Sequence, residues 1–396
     1  MKRITIVGGG SSAHVLAPFF SSLNYEVTVL TRRPEVWKQK VSVEFQDEFG
    51  KLKRQVKGTL KKITSDTAEA VNRADIIILC LPVAKYFNML MRIAEHLDKD
   101  REVFIGMLYG QGAVDLMFEE VKNKFNLKNM VYFSYGLIPF ICRTKKYGEI
   151  GITYGAKTNN VVAVNPKEKF NELEEIFLSK VCYYFFNDEK VHQSDNFISL
   201  TLSASNQLIH ISRMYGLYFK NKDGWEKEED VPYFYKDYDE YSAKIFEDLD
   251  EDYEKIREKI RKMYPNEDFK YMTRYLELVN FSYGFSNKNI QESFTTSKTL
   301  NQIKTPIMLE DDRYVLDKKS RFFTDDIFYG LAIAKWFAIE YDIEVPTIDT
   351  LLKWTEEYLG ITILKDGHLN EHCVYNHIEI GIPPKYKTFS KDNLIK

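Results

Sequence analysis

The stretch Ile4-Thr5-Ile6-Val7-Gly8-Gly9-Gly10-Ser11-Ser12-Ala13-His14 decides the fold. A short β-branched run passes directly into glycines and then into a helical pattern. The first βα turn of a dinucleotide-binding sheet requires that order. Gly8 permits a tight turn, and Gly10 lets backbone approach a pyrophosphate. Ala13, in place of a third glycine, still allows the helix to pack closely on the strand. The helix that starts at Ser11 and Ser12 aims free N–H groups and its positive dipole end at the phosphates. A second strand, Glu26–Leu30, follows at the expected distance.

Outward from this turn, the first half reads as alternating strands and helices. Strands are expected at 4–7, 26–30, 75–81, 102–105, 131–134 and 161–164. Helical patterns lie between them, for example at 83–97 and 167–180. The apolar run at 76–81 suits a parallel strand buried on both faces. Alternation of this kind implies an α/β doubly wound parallel sheet. Residues 41–43 and 55–59 are expected to form a hairpin around Gly50. From about residue 194 the texture becomes helical, with helices expected at 197–218, 241–263, 269–281, 326–341 and 347–359, and a polar loop at 284–301. Two domains follow: a Rossmann-type NAD(P)-binding domain over 1–193 and an all-α substrate domain over 194–396.

The 396 residues carry a net charge of −3, with 44% hydrophobic and 29% charged residues. No nucleic-acid partner and no membrane association are expected from that balance. No apolar run approaches the roughly 18 residues of a membrane span. Lys2 and Arg3 precede a strand rather than a signal peptide. Four scattered cysteines without a CxxC pair argue for a reducing cytoplasm and against a disulfide framework. A cytoplasmic enzyme, monomeric or homodimeric, is therefore expected.

An acidic residue at the end of the second strand would select NAD through a ribose hydroxyl. Thr31-Arg32-Arg33 stands there instead, and two guanidiniums suit a 2′-phosphate. NADP(H) is thus expected in preference to NAD(H). Leu81-Pro82 and Met107-Leu-Tyr-Gly110-Gln111-Gly112 follow strands and should line the cofactor cleft. Gln111 is placed to reach the nicotinamide or a substrate carbonyl, unless the segment is a plain loop. His210 lies on the first helix of the second half, with Asn206 one turn before it on the same face. Taken alone, such a histidine is structural or catalytic. Arg321 suits a substrate carboxylate. Asp325 or Asp326 would cap the helix that follows. His368, His372, Cys373 and His377 have a spacing that fits a helical metal site, but the prolines and β-rich text around them argue for no metal. The acidic stretch 223–268 reads as a solvated helical face, or as a lure for a cationic amine.

Together these motifs resemble the opine dehydrogenase family, whose best-known member acts on octopine. The resemblance rests on Gly8-Gly9-Gly10, Ala13 and His14, on Gly110-Gln111-Gly112, and on Leu137-Ile-Pro139-Phe-Ile-Cys142-Arg143 with Tyr147-Gly148. It continues in Asn206xxxHis210, Arg321xxxxAsp326, Tyr329-Gly330-Leu331 and Ile382-Pro383-Pro-Lys385-Tyr386. It implies a Rossmann domain joined to a helical domain like that of 6-phosphogluconate dehydrogenase, which closes over the nucleotide. It implies a reductive condensation: an α-keto acid such as pyruvate meets the amino group of an amino acid, an imine forms, and hydride from the nicotinamide reduces it. In that frame His210 is the acid–base residue and Asp326 its carboxylate partner. Arg321, Gln111 and Asn206 bind substrate, and Gly8, Gly10, Ser11, Ser12, Ala13, Thr31, Arg32, Arg33, Leu81 and Pro82 bind the cofactor. Gln207 and Ile211 replace prolines of the family's histidine motif, and Phe328 replaces one after the aspartate. These departures alter the substrate pocket. The rival readings are a dehydrogenase of a hydroxy acid or glycerol 3-phosphate on the same build, and a non-catalytic NADP sensor.

Overall fold

The computed structural model describes residues 1–47, 49–185, 190–297, 300–301, 303–390 and 395, and of 183–185 and 190 only the backbone. The chain forms two compact units. One comprises Met1–Gly110, Val114–Leu200 and Tyr386–Lys396; the other comprises Gln111–Ala113 and Thr201–Lys385.

In the first unit, β1 (Arg3–Val7), α1 (Ser11–Ser22), β2 (Glu26–Leu30), β3 (Lys40–Gln46), β4 (Leu52–Thr59), β5 (Lys62–Thr64), α2 (Thr67–Val71), β6 (Ile76–Leu79), α3 (Tyr86–Ala94), β7 (Val103–Met107), α4 (Val114–Phe125) and β8 (Met130–Tyr135) follow in order. They continue as β9 (Phe140–Lys146), β10 (Ile150–Ala156), β11 (Asn159–Asn165), α5 (Phe170–Leu173), a π-helical turn Glu174–Leu178, α6 (Ser179–Phe185) and β12 (Lys190–Ser194). The large sheet has the order β12-β11-β8-β7-β6-β1-β2-β5. From β1 the chain builds outward through β2 and β5, then crosses to β6, β7 and β8 on the other side. This reversal beside β1 is the topological switch point at which doubly wound sheets bind ligands. Strands β6, β7 and β8 are buried at every residue, as strands covered on both faces must be. One pairing departs from the expected parallel sheet: β11 runs antiparallel to β8.

The expected hairpin forms as β3 and β4, paired antiparallel. It is half of a second sheet, β4-β3-β10-β9, which the sequence pattern did not reveal. This sheet lies on α1. A Cβ on Gly58 would collide with Pro18 and Ser21, and one on Gly151 with the His14 carbonyl.

The second unit is helical. The helix expected at 197–218 breaks at Ala204-Ser205 into α7 (Phe197–Ser203), which carries the chain out of the first unit, and α8 (Asn206–Lys220). Then come α9 (Glu240–Met263), α10 (Tyr275–Tyr283), α11 (Ile290–Thr295), a π-helical stretch Phe322–Leu331, α12 (Ala332–Glu340) and α13 (Pro346–Leu359). Helix α11 lies inside the expected polar loop, of which residues 298 and 299 lie outside the described residues. Among the described residues the unit also holds three short hairpins: β13 (Ile307–Glu310) with β14 (Arg313–Leu316), β15 (Leu364–Lys365) with β16 (His368–Leu369), and β17 (Val374–Tyr375) with β18 (Ile378–Glu379). His368 is therefore in a strand rather than a helix.

The acidic stretch is not simply a solvated face. Asp252 on α9 is buried and accepts from the backbone N–H groups of Thr347 (2.7 Å) and Ile348 (3.1 Å) at the start of α13. Asp250, also buried, pairs with Arg257 at 3.0 Å and Arg274 at 3.3 Å. Among the described residues no helix is long and apolar enough to cross a membrane.

Candidate active site

The glycine turn of the first unit has the form the sequence predicts. Gly8 adopts φ +119°, and its N–H donates to the Leu30 carbonyl at 2.8 Å. A side chain there would be strained and would strike the Cys80 carbonyl. Gly10 is the N-cap of α1, with extended backbone and no side-chain cap, so the first N–H groups of the helix remain available to an anion. A Cβ on Gly10 would meet nothing nearer than 3.9 Å. These residues fit a pyrophosphate.

Ser11 Oγ lies 3.2 Å from Thr144 Oγ1, and Ser12 Oγ lies 3.7 Å from Cys142 Sγ. Both serines thus tie α1 to β9. Ala13 is fully buried. Thr31 is buried at the end of β2, while Arg32 and Arg33 are exposed. The Arg33 guanidinium stacks over the Tyr147 ring at 4.2 Å. Leu81 and Pro82 follow β6 at its carboxyl end.

His14 explains why a histidine follows Ala13. Its Nδ1 lies 2.9 Å from the Gly10 carbonyl, and its Nε2 accepts from the Gly148 N–H at 2.6 Å. The carbonyl can only accept, so Nδ1 carries the proton and the ring is neutral. Burial pushes its pKa below the ordinary imidazole value, against the Gly10 bond that raises it.

In the second unit, His210 and Asp326 meet although 116 residues separate them. His210 Nδ1 lies 2.7 Å from Asp326 Oδ2, with both side chains almost wholly buried. A carboxylate on Nδ1 fixes the tautomer and leaves Nε2 as the exchanging nitrogen. The ring stacks on Phe322 with centroids 3.8 Å apart. Burial holds the pKa of His210 below its ordinary value; Asp326 opposes this shift and the Arg321 charge adds to it. The imidazole is therefore neutral at neutral pH and ready to accept a proton.

Gln111 is fully buried in this cluster. Its Nε2 donates to Asp326 Oδ1 at 3.0 Å and to the Asp325 carbonyl at 2.9 Å. Both partners are acceptors, which assigns the amide orientation. Gln111 Oε1 is left buried without a hydrogen-bond partner among the described residues. Gln111 is expected to reach the nicotinamide or a substrate carbonyl; the atom it leaves on offer is the acceptor Oε1.

Asp325 and Asp326 lie inside the π-helical stretch Phe322–Leu331, whose N-cap is Arg321, so neither is a cap. A π-helical insertion widens the backbone turn and often accompanies a functional site. Arg321 is half-exposed, with Nη1 3.6 Å from Asp325 Oδ2. Asn206 is the first residue of α8, half-buried and one turn before His210. Among the described residues no three His, Cys, Asp or Glu side chains gather as a metal site.

The sequence reading missed Tyr235, whose hydroxyl lies 3.1 Å from His210 Nε2. The density of tyrosine at 233–238 was the only signal, and it lies in a segment of turns without periodicity.

Comparison with known proteins places both halves of the chain among described families. Residues 193–359 match the model for the NAD/NADP octopine/nopaline dehydrogenase, alpha-helical domain. Residues 3–108 match that for NADP oxidoreductase, coenzyme F420-dependent. The chain is 22% identical to an octopine dehydrogenase of Mizuhopecten yessoensis, over 93% of this chain and 92% of that one. It is 26% identical to an opine dehydrogenase of Haliotis discus hannai, over 93% of each. A solved octopine dehydrogenase with NADH and L-arginine shares the fold with a TM-score of 0.79, at 21% identity over 98% of this chain and 96% of that one. With both halves matched in order and a buried histidine–aspartate couple in place, the chain carries the alpha-helical domain of the NAD/NADP octopine/nopaline dehydrogenases and is an NAD(P)-dependent oxidoreductase acting on CH–NH bonds.

Proposed function

We propose that the chain condenses a pyruvate-like α-keto acid with the amino group of an amino acid and reduces the resulting imine, using NADPH ahead of NADH. The observation that carries the reading is the His210–Asp326 couple, a neutral imidazole oriented by a buried carboxylate. An amine must lose a proton before it attacks a keto carbon, and the departing oxygen must gain one as water leaves. A group titrating near neutrality serves both transfers. His210 Nε2 takes the proton of the amine, and Asp326 stabilises the imidazolium. The protonated ring then returns that proton to the leaving oxygen. Gln111 Oε1, a buried acceptor, takes an N–H of the amine nitrogen and so helps orient its lone pair. Arg321 holds a substrate carboxylate in exchange for its long contact with Asp325, and Asn206 adds a polar contact at the start of α8. Bound at Gly8, Gly10, Ser11, Ser12, Ala13, Leu81 and Pro82, the nicotinamide nucleotide supplies the hydride that reduces the imine carbon. Thr31, Arg32 and Arg33 receive a ribose 2′-phosphate, two of them as exposed cations at the end of β2.

The test is a matrix of pyruvate, 2-oxoglutarate and glyoxylate against a panel of amino acids, with NADPH or NADH oxidation as readout. Oxidation is expected only when keto acid and amine are both present. Equal rates with keto acid alone would replace this reading with a hydroxy-acid dehydrogenase.

A further inference from the structure

His210 has two ring nitrogens, and Asp326 accounts for one. The other, Nε2, is met by the Tyr235 hydroxyl at 3.1 Å. Tyr235 is 8% exposed. Its ring packs against Phe234 and Phe294, with centroids 5.0 and 5.6 Å away. It lies in a turn, with no strand or helix of its own to hold it.

The Phe234 N–H donates to the Ile303 carbonyl at 3.0 Å, and one buried side chain grips the turn from α8. Arg213, three positions after His210 on α8, is fully buried. It donates to the carbonyls of Tyr233 (3.1 Å), Phe234 (3.0 Å) and Asp237 (2.8 Å), on both sides of Tyr235. It also reaches Asp239 Oδ2 at 2.7 Å and Ser242 Oγ at 3.3 Å. A buried guanidinium is tolerated only when its charge is paired and its donors are used. Here three of those bonds fasten one turn to the helix that carries His210, and the other two tie that helix to the start of α9.

We propose that Tyr235 is a positioning residue for proton transfer by His210, clamped by Arg213. Its hydroxyl fixes the exchanging edge of the imidazole: it donates to Nε2 of the neutral ring, yields that lone pair to the proton of the incoming amine, and turns to accept from Nε2–H until the ring returns the proton. The proposal rests on His210 being the acid–base group. The charged or titratable groups facing His210 are Asp326, Tyr235 and Arg321; Phe322 and Phe234 bring none. A hydrogen bond to a charged partner is roughly twice as strong as one between neutral groups. The hydroxyl therefore favours the imidazolium, offsetting part of the burial that opposes it.

The experiment is a titration of the full-length protein labelled with 15N-histidine, followed by NMR, with the His210 signal assigned by its loss in His210→Gln. Tyr235→Phe keeps the ring contacts and removes the hydroxyl. It is expected to lower the His210 midpoint by about half to one pH unit. Tyr238→Phe is the control, because the Tyr238 hydroxyl bonds Ser212 on the same helix at 2.9 Å. That control should leave the midpoint in place. Arg213→Lys, which keeps a charge and loses the fork, should move it in the same direction as Tyr235→Phe. In steady-state assays Tyr235→Phe should lower kcat about tenfold with little change in the keto acid KM. An unmoved midpoint in Tyr235→Phe, or an equal shift in Tyr238→Phe, would overturn the proposal. The titration needs no turnover, so an inactive wild-type enzyme would count against the proposed reaction and leave this test intact.

Discussion

At the scale of the residue, one carboxylate organises the site. Asp326 gives Oδ2 to His210 and Oδ1 to Gln111, so its charge is shared between a base and an amide. Asp326→Asn keeps the volume but places an amide against Nδ1, which favours the wrong tautomer. We expect kcat to fall by about a thousandfold, with nucleotide binding unchanged by fluorescence titration. The pH profile follows from the direction of the His210 shift. The ring must be neutral to take the amine's proton, and burial keeps its pKa below the ordinary imidazole value. Activity should therefore fall on the acid side with a midpoint below that ordinary value; a limb above it would contradict the assignment. Arg33 offers a separate test, because its guanidinium is exposed and stacks over the Tyr147 ring at 4.2 Å. Replacing Arg32 and Arg33 by Ser should raise the NADPH KM about 10- to 100-fold, the scale of one or two charge-assisted bonds, and leave the NADH KM nearly as it was. A similar rise for both nucleotides would argue that the arginines serve the adenine side without reading the 2′-phosphate.

At the scale of the element, α1 has two tasks: it presents its N-terminus to a nucleotide and it carries the second sheet. His14 joins the two. It grips Gly10 at the turn and the Gly148 N–H between β9 and β10. His14→Ala leaves that N–H buried without its acceptor and is expected to destabilise the protein by about 1–3 kcal/mol, read as a lower Tm. The folded pKa of His14 lies below the unfolded one, so the unfolded chain binds the proton more readily. The tie's contribution is complete above about pH 6.5 and is lost as pH falls below it. The wild-type Tm should drop on acidification more steeply than that of His14→Ala. The alternation of strands and helices, and the glycine turn, were legible because each rests on a local period or a short motif. Strands β9 and β10 were not, since β10 gains its order from pairing with β3 across more than a hundred residues, and β9 from pairing with β10. The π-helical stretch was equally hidden. Its apolar spacing resembles that of an α-helix, and the shift that turns Asp325 and Asp326 inward comes from packing. His210 and Asp326 were found through motif resemblance, whereas Tyr235 and Arg213 act through a turn that has no spacing rule.

At the scale of the whole molecule, the order of the chain does not match the order of its compact units. Gln111–Ala113, shortly after β7, the fifth strand of the parallel succession, belongs with the helical unit, and Tyr386–Lys396 belongs with the nucleotide-binding unit. The tail is held there by specific contacts. Tyr386 is 1% exposed and meets Phe87 edge to face at 5.3 Å, while the Thr388 N–H donates to Glu120 Oε2 at 2.9 Å. A large buried aromatic contributes about 3–5 kcal/mol against its truncation to alanine. Tyr386→Ala, at the far end of the chain, should therefore lower the Tm of the first unit by several degrees. The effect should appear as a loss of amide protection in α3 and α4, which carry Phe87 and Glu120, while the helices around His210 keep theirs. Hydrogen exchange resolved by mass spectrometry would separate the outcomes. Protection lost first around α8 and α9 would mean that the tail stabilises the helical unit instead, and that the succession of the two units along the chain describes their folding better than their contacts do.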